Sequence, residues 1–233
     1  MKKFFLFLAL SSFVLCGFAG SAPEAPAPDE GQNNAPVAES PNPYVIANFE
    51  NGNITSPEWW KFDSVTVTIA KNAKLTAGDK KVSKEVGKYS LNIKGKATNW
   101  YAGGCGTFVA NPKIDFSKYS AIRIDVYGTG KDSGKMQVEV YDDDNGSGQL
   151  EQDKNKNYAP IADDKFSYQM PVDWKGWKRV VIPFNEFDDV NPGVGDDIWN
   201  PGVGGLLQVQ VIAISSKKVG NCDFFVDNIV VVK

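Results

Sequence analysis

Nowhere in this chain do apolar residues keep the 3.6-residue period of a helix for three turns; they come in short runs that alternate every second residue. Runs rich in Val, Ile, Tyr, Phe and Trp occupy residues 45–50, 64–70, 89–97, 106–110, 121–127, 135–142, 167–172, 178–184, 206–214 and 223–232, separated by Gly, Asn, Asp and Lys clusters. Alternation of this kind buries one face of a segment when the segment is a strand. The expected fold is therefore all-β, a sandwich of antiparallel sheets. Two segments say most. In DWKGWKRVVIPFNEF (173–187) two tryptophans flank a glycine turn and feed an alternating strand that stops at Pro183, and FFVDNIVVV (224–232) holds one carboxylate, Asp227, inside an apolar run.

The first forty or so residues stand apart. Residues 1–21 read as an export signal: Lys2 and Lys3, an apolar run from Phe4 to Leu15 that is too short to span a bilayer, then small residues through Ser21. Cys16 sits roughly where a lipoprotein cysteine would, but the bulky Leu15 before it fits a lipobox badly, so removal with the signal is the reading taken. Residues 22–43 are rich in Pro, Ala, Glu, Asn and Ser with Val37 as their one aliphatic beyond Ala, the composition of a disordered linker. Residues 44–233 are the size of one β-sandwich domain. The expected location is outside the cytoplasm, whether periplasm, cell surface or medium.

Composition removes several functions. There is no histidine, which excludes His-based triads and His-ligated zinc. Net charge is −3 with acids and bases interspersed, so no basic stripe points to nucleic acid. Beyond the signal two cysteines remain, Cys105 and Cys222; in an oxidising compartment they form either a disulfide or two buried thiols.

Parity sorts the strand faces. Ile122, Ile124 and Val126 make a core row, sending Arg123, Asp125 and Tyr127 to the other face. Met136, Val138 and Val140 do the same against Gln137, Glu139 and Tyr141, and Leu207, Val209, Val211 and Ala213 leave Gln208 and Gln210 opposite. Amides, carboxylates and a guanidinium on one sheet face can pair with sugar hydroxyls while aromatic rings stack on the pyranose. The plainer alternative is a solvated face, since antiparallel sheets show water one polar side. Among the aromatics beside loops, Trp177 reads as core, and Trp100, Tyr101 and Trp199 read as contacts to a ligand. The loop DDDNGSG (142–148) is calcium-loop-like, but no bidentate Glu follows at the required distance unless Glu151 bends back, so it reads as a solvated hairpin turn.

Taken in order, Phe49-Glu50, YSLNIKG (89–95), WYAGG (100–104), IDFSKYSAI (114–122), WKRVVIPF (177–184) and VDNI (226–229) resemble the galactose-binding-like jelly roll. Within it they are most similar to family 11 carbohydrate-binding modules and complex I intermediate-associated domains. The resemblance implies a structural Ca²⁺ where the first and last strands meet, with Glu50 and Asp227 as its carboxylates and backbone carbonyls completing the cage. It also implies a cleft on a concave sheet that binds β-glucan chains. The segment DDVNPGVGDDIW (188–199) departs from that pattern, with acids and one Trp where glucan-binding relatives place Arg and Tyr.

Three functions follow. The first is an exported non-catalytic module that binds a polysaccharide such as β-glucan through Arg123, Asp125, Tyr127, Gln137, Glu139, Tyr141, Gln208, Gln210, Trp100, Tyr101 and Trp199. The second is an envelope structural or assembly protein that holds a protein partner on the same sandwich. The third is a glycoside hydrolase, for which Glu139 with Asp125 or Asp142 is the available carboxylate pair.

Overall fold

The structure, a computed structural model, describes residues 42–233. The expected signal 1–21, Cys16 and nearly all of the linker 22–43 lie outside the described residues. In chain order the elements are β1 (Tyr44–Ala47), β2 (Trp60–Asp63), β3 (Val65–Lys71), a short helix α1 (Lys80–Glu85), β4 (Tyr89–Ala97), β5 (Tyr101–Phe108), β6 (Ala121–Thr129) and β7 (Lys135–Asp142). There follow β8 (Gln152–Asp153), β9 (Ala159–Pro160), β10 (Lys165–Pro171), β11 (Lys175–Pro183), β12 (Asp188–Asp189), β13 (Leu206–Ile214) and β14 (Gly220–Val232).

Two six-stranded antiparallel sheets face each other. The first runs β11-β6-β14-β4-β3, with β1 also paired to β14; the second runs β12-β10-β7-β13-β5-β2, and β8 and β9 form a separate small hairpin. Alternation does what it promised. Ile122, Ile124 and Val126 of β6 and Leu91 and Ile93 of β4 meet Met136, Val138 and Val140 of β7 and Val209 and Val211 of β13 in one buried core. Each such side chain stabilises the fold by about 1.5–3 kcal/mol over its exposed state.

A β-bulge explains the closing run of the sequence. Pairing with β6 breaks between Asp227 and Val230, and Asn228 takes a φ of 44°. The extra residue shifts parity, so Phe224 and Val226 point inward before it and Ile229 and Val231 after it.

The outer face of the first sheet is not solvent. Asp79 caps α1 by accepting the amides of Lys81 and Val82, and the helix lays Val82 and Val86 on Tyr127 and Trp177 in a second small core. The Trp177 indole N–H donates to the Leu75 carbonyl at 2.8 Å. Trp177 is a core residue, as its position at the head of an alternating strand indicated.

Candidate ligand-binding face

The outer face of the second sheet carries a polar and aromatic surface laid out by cross-strand register. Lys165, Tyr141, Gln208 and Phe108 form one row; Ser167, Glu139, Gln210, Gly106 and Trp60 the next; Gln169, Gln137, Ile212, Gly104 and Phe62 the third. Five expected ligand residues, Gln137, Glu139, Tyr141, Gln208 and Gln210, thus share one face.

The face is graded. At its closed end Lys165 pairs with Glu139 at 2.8 Å, Gln137 donates to Glu139 at 2.8 Å and the Tyr141 hydroxyl donates to it at 3.2 Å. Glu139, Tyr141 and Gln208 are buried there, and the Gln208 Nε2 has no hydrogen-bond partner. At the other end the surface opens onto rings. Phe108 is 61% exposed and its ring lies 4.5 Å from that of Trp60. Gly104 and Gly106 form the floor: a Cβ on the first would come 2.7 Å from the Phe62 ring, and on the second 3.0 Å from the Trp60 ring. Tyr101, 44% exposed, donates its hydroxyl to Asp63 at the edge of this region. The half-buried Gln137 and Gln210 lie between the two ends.

Trp60, Phe62 and Phe108 were not among the expected contacts. The signal was present in part: β2 and β5 alternate Trp60 and Phe62 against Gly104, Gly106 and Phe108, but a glycine run reads as a turn.

The remaining expected residues fall elsewhere. Arg123, Asp125 and Tyr127 belong to β6 in the first sheet, so they lie on the opposite face of the sandwich and do not join the polar surface. Asp125 is fully buried beneath Arg179, which holds it through Nε at 2.8 Å and Nη2 at 2.9 Å while also reaching Glu85 at 2.7 Å. Tyr127 is buried against Trp177 and Phe225. Glu139 and Asp125 therefore cannot flank one glycosidic bond. Trp199 is half-buried, stacked on Phe184 at 4.5 Å and edge-on to Phe166, which makes it a core plug. Trp100 is exposed beside Tyr101 at the start of β5.

The first and last strands do meet, β1 pairing with β14. Beside that junction Asp227 has no solvent exposure; its Oδ1 accepts the Asn228 amide at 2.7 Å and its Oδ2 has no partner. Burial, reinforced by the charges of Asp125 and Glu50, pushes its carboxyl up to about 9. Glu50 Oε1 accepts the amides of Lys88 and Tyr89 at 2.8 and 2.9 Å. An orphaned buried oxygen on Asp227, with the Glu50 charge acting on it, is a donor set of the kind a hard cation takes.

Cys105 and Cys222 are both free thiols buried in the core, the second of the two forms open to them. The loop after β7 also differs from a solvated turn. Residues 145–148 are exposed, yet Asp142 is fully buried and Asp144 turns inward. Glu151 does fold back, accepting from Asn145 at 3.2 Å.

Among the described residues no helix is long and apolar enough to cross a membrane. No protein-family model and no curated protein matches the chain. Among solved structures, the family 11 carbohydrate-binding module from Clostridium thermocellum in complex with a β-1,3-1,4-mixed-linked tetrasaccharide superposes with a TM-score of 0.50 at 16% identity, covering 82% of this chain and 95% of that one. The family 11 module of a cellulosomal cellulase of the same organism gives 0.49 at 17% identity over 82% and 94%. A family 22 xylan-binding domain from Paenibacillus barcinonensis gives 0.40 at 16% over 80% and 98%. At such identities the likeness is one of fold, and the fold of this chain is the jelly-roll β-sandwich found in carbohydrate-binding modules.

Proposed function

We propose that the protein is a non-catalytic carbohydrate-binding protein that takes a β-glucan or related polysaccharide along the outer face of the second sheet. One observation carries the reading: on a single face, the rings of Trp60, Phe62 and Phe108 lie over a glycine floor beside the amides of Gln137 and Gln210. Rings offer the flat apolar surface that the C–H face of a pyranose stacks on, and amides supply both donors and acceptors for its hydroxyls. Glu139, fixed by Lys165, Gln137 and Tyr141, orients the Gln137 amide from below. Because the side chains are held before ligand arrives, little ordering entropy is lost on binding.

Calorimetry and affinity electrophoresis of the purified protein over a panel of soluble glucans and xylans test this. Binding to at least one, weakened tenfold or more (~1.4 kcal/mol) in Trp60→Ala or Phe108→Ala, is the expected result. No binding across the panel, with a stoichiometric envelope protein co-purifying instead, would replace it with the assembly-protein reading.

Two further parts belong to the same proposal. Glu50 and Asp227 hold a structural Ca²⁺ that offsets the charge of two neighbouring acids and ties β1 to β14. Export rests on residues 1–21, and the native protein should begin at or near Ala22.

A further inference from the structure

Three carboxylates meet at one end of the second sheet: Asp142 at the end of β7, Asp144 in the loop that follows, and Asp164 just before β10. One oxygen from each lies within 4.8 Å of those from the other two. Asp142 and Asp164 have no solvent exposure. Each of the three spends Oδ2 on a backbone amide: Asp142 accepts from Asn200 at 3.0 Å, Asp144 from Asp164 at 2.8 Å and Asp164 from Ile198 at 3.2 Å. Their three Oδ1 atoms are buried and have no hydrogen-bond partner.

The charges acting on the cluster are acidic. Burial first, then Asp144 and Asp164, push the Asp142 carboxyl up to about 8; burial and then Asp144 raise Asp164 to about 6. Asp163, fully buried with both oxygens unpartnered, is raised to about 7 by burial and then by Glu151. Buried carboxylates without a counter-charge are strongly unfavourable. Hydrogen bonds already fix where each group sits, yet leave the same oxygen of each unused.

We propose that Asp142, Asp144 and Asp164 bind a Ca²⁺ ion, at a site separate from Glu50 and Asp227. All donors are hard oxygens, and Ca–O distances of ~2.3–2.6 Å let two ligands of one ion stand at most about 5 Å apart, a limit the cluster meets. The remaining positions of a shell of roughly six to eight fall to backbone carbonyls and water. The loop before β13 is shaped to close over the acids: Gly195 has a φ of 78°, and a Cβ there would come 2.3 Å from Asp144 Oδ2 and 2.5 Å from Asp164 Oδ1. The ion would join three loops to the end of the face where Lys165, Tyr141 and Gln208 lie.

Terbium binding to the EDTA-stripped full chain tests the site, because Trp199 lies between the two residues whose amides meet Asp164 and Asp142. Saturable terbium luminescence excited through tryptophan is expected, displaced by Ca²⁺ far better than by Mg²⁺. Measured in an Asp227→Asn background, which empties the other proposed site, it should be retained, dimmed by Trp199→Phe and lost in Asp142→Asn with Asp164→Asn. Replacing the acids removes repulsion, so the double variant should melt no lower than the wild type in EDTA while its calcium-induced rise shrinks. Should the double variant fail to fold, Asp144→Asn alone should weaken terbium at least tenfold. The proposal is overturned by absent luminescence, by luminescence unchanged in both acid variants, by equal displacement with Mg²⁺, or by a variant destabilised equally in EDTA and in calcium.

Discussion

Asp125 shows how one residue's meaning changes with its surroundings. Its parity within β6 is what the sequence indicates, outward from the core, but outward here means beneath α1 and against Arg179. A fully buried carboxylate held by two guanidinium contacts depends on that partner. Arg179→Met should lower stability by about 3–5 kcal/mol in urea denaturation, with sugar binding intact after refolding, because the opposite sheet carries the ligand. Parity can be read from alternation; which sheet a strand joins depends on long-range pairing, and that is why Arg123, Asp125 and Tyr127 look like neighbours of Gln137 and Glu139 in the sequence and are not. The cysteines follow the same logic. Burial pushes the Cys222 thiol up to about 11 and Cys105 higher still, and the thiolate is the reactive form. Neither should take iodoacetamide in the native fold, and both should in denaturant without any reductant, as peptide mass mapping would show.

Among the elements, β5 was the hardest to see and matters most to the face. The sequence indicates a strand only from residue 106, because Gly103 and Gly104 read as a turn, whereas the strand begins at Tyr101. Gly103 takes a φ of 124° against the Phe62 carbonyl, and Gly104 leaves room for the Phe62 ring where a side chain would otherwise stand. The two floor positions should respond differently to a methyl group. At Gly104 the new Cβ would sit 2.7 Å from the Val211 carbonyl, a backbone atom that cannot step aside, so Gly104→Ala should cost about 1–3 kcal/mol of stability. At Gly106 its two closest neighbours are the side chains of Gln210 and Trp60. Gly106→Ala should therefore melt close to the wild type and lose glucan affinity, since the ring it tilts is part of the platform. By contrast β4 and β13 match the bounds of their runs, although a register shift between Leu206 and Gln208 puts Leu206, not the expected Leu207, into the main core beside Val209, Val211 and Ala213.

For the whole molecule, the two ends of the described fold and the loops at one end of the second sheet share a problem of charge. Asp227, Asp142, Asp163 and Asp164 are all raised above the ordinary aspartate value of 3.8, each by burial first. An acid whose folded-state pKa is raised contributes fully below its unfolded value and loses that contribution as pH climbs through the folded one. In EDTA the melting temperature should therefore fall as pH rises from about 4 to about 9, the upper limit being set by Asp227. Bound Ca²⁺ favours the ionised acids at the two sites, so in calcium the same rise in pH should destabilise the protein far less, leaving the share of Asp163, which belongs to neither site. At a calcium concentration a hundredfold above Kd each site adds about 2.7 kcal/mol, or about 5–10 °C for a domain of this size. Asp227→Asn should raise the melting temperature in EDTA at pH 8 and remove only its own site's share of the calcium effect, leaving the share that belongs to Asp142, Asp144 and Asp164. Identical melting curves in EDTA and in calcium across this pH range would show that neither group of acids holds an ion, and that the charge is instead relieved by protonation within the fold.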